Sequence, residues 1–174
     1  LAGEDGIAAY CVIMYVNFVV AAIFLGYAVG SAPIISSHFG AENHGELKSL
    51  LRKSLLLVAG AGVAMLVIDF TAAPALSGVF VGYDRELREM TRWAIQLYAV
   101  SFLLAGFNIF ASSFFTALND GPVSAALAFL RTLVFQTSAV LLLPLVLELD
   151  GVWLAITVAE ALALAVSVGF LVGK

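Results

Sequence analysis

The chain is 174 residues long, 63% hydrophobic and only 11% charged, with a net charge of −4 and a mean hydropathy of +1.08. Soluble domains carry about 45–50% apolar and about 25% charged residues, so water is not the main solvent for this sequence. The small acidic balance has no basic block and gives no footprint for nucleic acid, and a lone cysteine, Cys11, excludes an internal disulfide framework or a multi-cysteine metal site.

Taken in order, the chain opens on Leu1 without a charged segment and cleavage site, and reads as an internal fragment. A first apolar span runs from about 7 to 35 and contains Cys11, expected to be a small buried apolar residue. The polar stretch His38 to Glu46 follows, then a second span over 47–81 that begins amphipathically with Lys48, Arg52 and Lys53. Pro74 is expected to kink or end that helix. After the charged Asp84–Glu89 segment a third span covers 92–118. Asn119, Asp120, Gly121 and Pro122 make a strong turn signal, and the fourth span, 122–147, starts behind it. Glu148, Asp150 and Gly151 separate it from the last span, 152–172.

Each run approaches or exceeds the ~20 apolar residues that cross a bilayer as a helix. None shows the alternation over about ten positions that marks a membrane β-strand. The fold class is therefore all-α, a polytopic transmembrane bundle of about five spans in one unit. Counting bases gives four (Lys48, Arg52, Lys53, Lys174) on one side against three (Arg85, Arg88, Arg92) on the other, which places the His38–Lys53 loop in the cytoplasm.

Ionisable groups in the middle of a span cost several kcal/mol and mark ion pathways, proton relays or buried pairs. Arg131 stands nine positions beyond Pro122, about 14 Å into its helix. Glu160 lies about 12 Å from the opposite surface on the next, antiparallel helix, so the offset between them is roughly 4 Å, within reach of an arginine. The pair reads equally as a static clasp or as a proton-coupling device, and in the second case only Glu160 can release and rebind the proton. Polar residues form stripes at helical spacing: Ser101, Asn108, Ser112 and Thr116; Ser124, Arg131 and Ser138; Thr157, Glu160 and Ser167. These stripes, with Asn17 midway along the first span, should face protein or water. Gly26 and Gly30 form a G-x-x-x-G pair expected to bring helices close. Asp69, about a dozen residues from the outer loop, reads as an interfacial acid within reach of water in preference to a coupling site. His38 and His44 match no zinc-ligand spacing, and no G-x-S-x-G, P-loop, H-E-x-x-H or dinucleotide fingerprint supports enzyme chemistry or a bound cofactor.

The segment from Gly26 to Lys53, GYAVGSAPIISSHFGAENHGELKSLLRK, resembles a stretch of MATE (multidrug and toxic compound extrusion) exporters. There a glycine-rich helix end with a proline leads into a G-A-x-N turn, here Gly40, Ala41, Glu42 and Asn43. Phe129–Phe135, Leu141–Leu147 and Gly151–Glu160 are similar to the end of bacterial exporters of the DinF-like kind. The resemblance implies helices eight to twelve of a twelve-helix antiporter of the inner membrane, with an N-terminal lobe outside this chain. It further implies hydrophobic cationic small molecules as substrates, exchanged for H⁺ or Na⁺ by alternating access. In the family the acids assigned to cation coupling lie in the N-terminal lobe or on helices seven and ten, and the tenth helix here carries Asn108 and no acid, which favours H⁺ or coupling housed in the other lobe. Coupling and cavity candidates are Glu160, Arg131, Asn17, Asn108 and Ser112. A lipid-linked oligosaccharide flippase of the same superfamily would need a more cationic cavity than Arg131 alone supplies. A non-transporting membrane scaffold would leave Glu160 and the stripes as packing devices.

Overall fold

The structure, a computed structural model, describes residues 3–173. Helix α1 spans Gly3–Gly40, α2 His44–Val81 and α3 Arg85–Ala117. The next crossing is composite: α4 Gly121–Phe129, a π-helical segment Leu130–Gln136 and α5 Thr137–Leu142. The last helix, α6, spans Pro144–Gly173. Five of these crossings are long and apolar enough to span a membrane.

Helix boundaries follow capping chemistry more than hydropathy. The polar stretch after the first span is mostly helical, and the connection shrinks to a turn in which Glu42 has φ 55° and Asn43 caps α2, its side chain accepting from Glu46 N at 3.2 Å. Likewise the Asp84–Glu89 segment is not a loop. Asp84 is the N-cap of α3, accepting from Leu87 N at 3.0 Å, so the charged residues form the helix's first turn. Pro74 does not end α2, which continues to Val81. Pro122 occupies the first turn of α4 behind the Asp120 cap, where a missing N–H costs nothing. The final reversal falls at Glu148, where α6 is interrupted at φ 51° and ψ −125°.

Helix α3 is the shared wall of the bundle. It packs against α1, α2, α4 and α6, whereas among the described residues α1 makes no close helix contact with the α4–π–α5 crossing or with α6. Phe102, Phe110, Phe114, Ala94 and Tyr98 of α3 are buried with Phe24 and Val20 of α1 and Trp153 of α6. Tyr27 donates to Ser54 Oγ at 2.8 Å and clasps α1 to α2. The outward faces are apolar, with Phe18, Val29, Leu56, Val79 and Leu145 more than half exposed, as a lipid-facing surface requires.

Close approach selects glycine at four positions, and they are not the pair picked out by motif. A Cβ on Gly82 would run into the Gly78 carbonyl at the end of α2, one on Gly106 would lie 2.6 Å from the buried Phe24 ring, one on Gly151 2.5 Å from the Leu143 carbonyl, and one on Gly62 3.2 Å from the Leu103 backbone. Gly26 and Gly30 have open space where their side chains would be, so the G-x-x-x-G spacing makes no helix contact among the described residues. Cys11 is exposed, not buried. Gly106→Ala should therefore lower the thermal midpoint of the detergent-solubilised full-length protein, by about 1–3 kcal/mol of overpacking. Gly26→Ala should leave that midpoint within the scatter of repeat measurements.

Candidate functional site

A groove opens between α1 and the π-helical segment, with α3 as its floor and α6 behind. Its first part, about 190 Å³, is bordered by Asn17, Tyr98, Ser101, Arg131, Gln136 and Glu160. The second, about 290 Å³, is bordered by Asn108, Ser112, Ser113, Thr116 and Ser167, and it shares Ile109, Arg131 and Thr132 with the first. All five residues expected to mark the cavity border this one groove. They come from four different crossings, brought to one wall because α3 contacts both halves of the bundle.

The groove's centre is an ion pair. Arg131 Nη2 lies 2.7 Å from Glu160 Oε1, and Arg131 Nε donates to Oε1 at 2.8 Å and to Oε2 at 3.0 Å. Asn108 Nδ2 donates to Glu160 Oε2 at 2.7 Å and to the Glu160 backbone carbonyl at 2.9 Å. Ser167 Oγ donates in turn to Asn108 Oδ1 at 3.1 Å, which fixes the amide so that its N–H group meets the carboxylate. The Glu160 side chain is 8% exposed and that of Arg131 27%, so the acid is enclosed while the guanidinium still reaches the groove. Both carboxylate oxygens face N–H donors, which is the condition for holding a charge at this depth.

The π-helical segment explains how Gln136 joins Arg131 there. A π-turn closes from i to i+5, so Arg131 and Gln136, five positions apart, both border the groove, whereas α-helical spacing would set them about 140° apart. The same widening carries Ser138 off the stripe it was expected to share with Ser124 and Arg131, and Ser138 is exposed. Ser124 remains on the inner face, its Oγ 2.7 Å from Thr116 Oγ1 and 3.1 Å from Ser112 Oγ, a cluster that ties α4 to α3. Tyr98, Thr132 and Gln136 are groove residues that periodicity did not single out. For Gln136 the signal was present only as a five-residue offset from Arg131, which has meaning once the π-turn is known.

Other expectations fare differently. Asp69 is buried, 5% exposed, and its Oδ2 has no hydrogen-bond partner among the described residues, so it is not the water-reached interfacial acid that its distance from the loop implied. It lies on the buried stripe of α2 with Gly62, Ala73 and Ser77, a face set by packing against the bundle and not by depth. Thr157 Oγ1 is likewise buried and unpartnered. No group of three His, Cys, Asp or Glu residues among those described could hold a metal ion.

Removing one partner of an enclosed pair strands the other charge. Arg131→Leu should destabilise the full-length protein by about 3–5 kcal/mol, whereas the double variant Arg131→Leu/Glu160→Leu should recover most of that loss. Thermal unfolding in detergent, read as a double-mutant cycle, checks both values.

The MatE family model matches residues 1–142. Among solved structures, an outward-facing multidrug resistance MATE family transporter of the MOP superfamily superposes with a TM-score of 0.87 at 21% identity, covering 95% of this chain and 37% of that one. A MATE structure in complex with MaL6 gives 0.86 at 22%, covering 95% and 38%. A MOP superfamily transporter from Pyrococcus furiosus, described as having a binding pocket of reverse polarity, gives 0.86 at 21% with the same coverage. No curated protein matches the chain. The chain thus spans a little over a third of the length of these structures, and at such identities the likeness establishes the fold. With the family model covering most of its residues and a bundle superposable on MATE transporters, the chain belongs to the MatE family.

Proposed function

We propose that this chain supplies the larger part of one lobe, helices eight to twelve, of a secondary active antiporter of the cell's inner membrane. In this reading the whole transporter exports hydrophobic organic cations in exchange for H⁺ by alternating access, with the groove facing the N-terminal lobe. No covalent chemistry and no bound cofactor take part. The single observation that carries the reading is the Glu160 carboxylate, enclosed at mid-span beside a groove and paired to Arg131.

The chemistry of the pair gives the coupling. With Glu160 ionised, its charge and that of Arg131 cancel, and the groove tolerates a cation. Protonating Glu160 removes the negative partner and leaves the guanidinium uncompensated in a low-dielectric groove, where it repels a bound cation. Proton and drug therefore oppose each other through one carboxylate, which is a coupling free energy between two ligands with reciprocal sign. A sodium ion would need bare oxygen ligands, and both Glu160 oxygens face N–H donors, which supports H⁺ as the coupling ion.

The test uses the full-length transporter in proteoliposomes, with ethidium as the organic cation and an imposed pH gradient as the driving force. Glu160→Gln keeps shape and hydrogen-bond capacity but cannot exchange a proton, and should reduce gradient-driven efflux by about tenfold or more. Efflux at the unmodified rate, from protein present in normal amount, would remove Glu160 from the coupling step.

A further inference from the structure

Away from the polar groove, two apolar slots meet at the beginning of α2. One, about 420 Å³, runs along α2 from Lys48 and Arg52 past Leu51 and Leu55 to Ala59, with Phe107 of α3 as its wall. The other, about 230 Å³, lies between the start of α2 and the end of α6, floored by Phe114, Phe115 and Leu118 and closed by Leu171. They share Lys48 and Leu51, and neither shares a residue with the groove.

From these slots we infer a binding site for one diacyl anionic phospholipid, its headgroup on Lys48 and Arg52 and one acyl chain along the longer slot. Charge supplies the first argument. Lys48 and Arg52 stand one turn apart on the same face, both are exposed, and neither is in an ion pair among the described residues. Both sit in the first turns of a membrane-spanning helix, at the depth where phosphates lie. Geometry supplies the second. The eleven steps from Lys48 to Ala59 rise about 16 Å, close to half of a ~30 Å hydrocarbon core, so the longer slot accommodates one leaflet's acyl chain. Below the two bases the walls are Leu, Ala and Phe, with no polar group for water to serve. Basic pockets between membrane helices are a recognised means of holding anionic headgroups, each base contributing about a fivefold gain in affinity.

The experiment measures lipid retention by native mass spectrometry of the full-length protein exchanged into detergent with added phosphatidylglycerol, phosphatidylcholine of the same chains, or glycerol 3-phosphate. Phosphatidylglycerol should bind at one site and phosphatidylcholine at least about tenfold more weakly. Glycerol 3-phosphate, which carries the charge without chains, should not compete. Lys48→Gln/Arg52→Gln, two exposed positions outside the core, should erase the preference, and Ala59→Trp, which fills the longer slot, should weaken phosphatidylglycerol while the bases remain. Equal retention of the two lipids, or an unchanged preference in the Lys48→Gln/Arg52→Gln protein, overturns the site. Full competition by glycerol 3-phosphate would also overturn it, in favour of a simple anion contact.

Discussion

A carboxylate placed among hydrocarbon has to be surrounded by donors, and the architecture of this bundle follows from meeting that requirement for Glu160. Its two oxygens receive N–H groups from a helix on each side, Asn108 on α3 and Arg131 on the π-helical segment. For the asparagine to present nitrogen and not oxygen, a hydroxyl from Ser167 holds its other end. The helix that bears the arginine departs from α-helical winding just there, which carries Gln136 to the same groove. The acid therefore organises three crossings, and the groove beside it exists because α1 packs on α3 without closing against the π-helical segment or α6.

Much of the fold was legible in the sequence because the bilayer imposes a length. Five apolar runs become five crossings, and the Asn119–Pro122 and Glu148–Gly151 signals fall where the chain turns. Boundaries were less legible where composition and capping disagree: Asp84 to Glu89 look like a solvated loop by charge, yet Asp84 is the residue type that starts a helix, and the local hydrogen bond decides. Depth counting brought Arg131 and Glu160 together across consecutive helices, because a rise of 1.5 Å per residue is reliable in a long helix. It did not join Asn108 to Glu160, since that contact depends on how α3 and α6 are rotated about their axes.

Position along one helix does not decide exposure. For Asp69 a dozen residues from the outer end of α2, Cys11 in an apolar run and the Gly26–Gly30 pair, exposure is decided by which face the helix turns to its neighbours. Asp69 faces inward, Cys11 faces outward, and the two glycines border open space. Glycines that do permit close contact, such as Gly62, Gly106 and Gly151, belong to no G-x-x-x-G pair and acquire their role from a partner distant along the chain or across a turn.

The wider winding between Leu130 and Gln136 has a consequence for comparing this chain with its relatives. Inserting one residue into a helix without lengthening its span turns everything beyond it by about 100°. Where a relative keeps uninterrupted α-winding through this crossing, a gapless alignment would match inward positions on one chain to lipid-facing positions on the other. A single-residue gap between Phe129 and Thr137 restores the correspondence, and in this crossing such a gap records a difference in winding, not the loss of a functional residue.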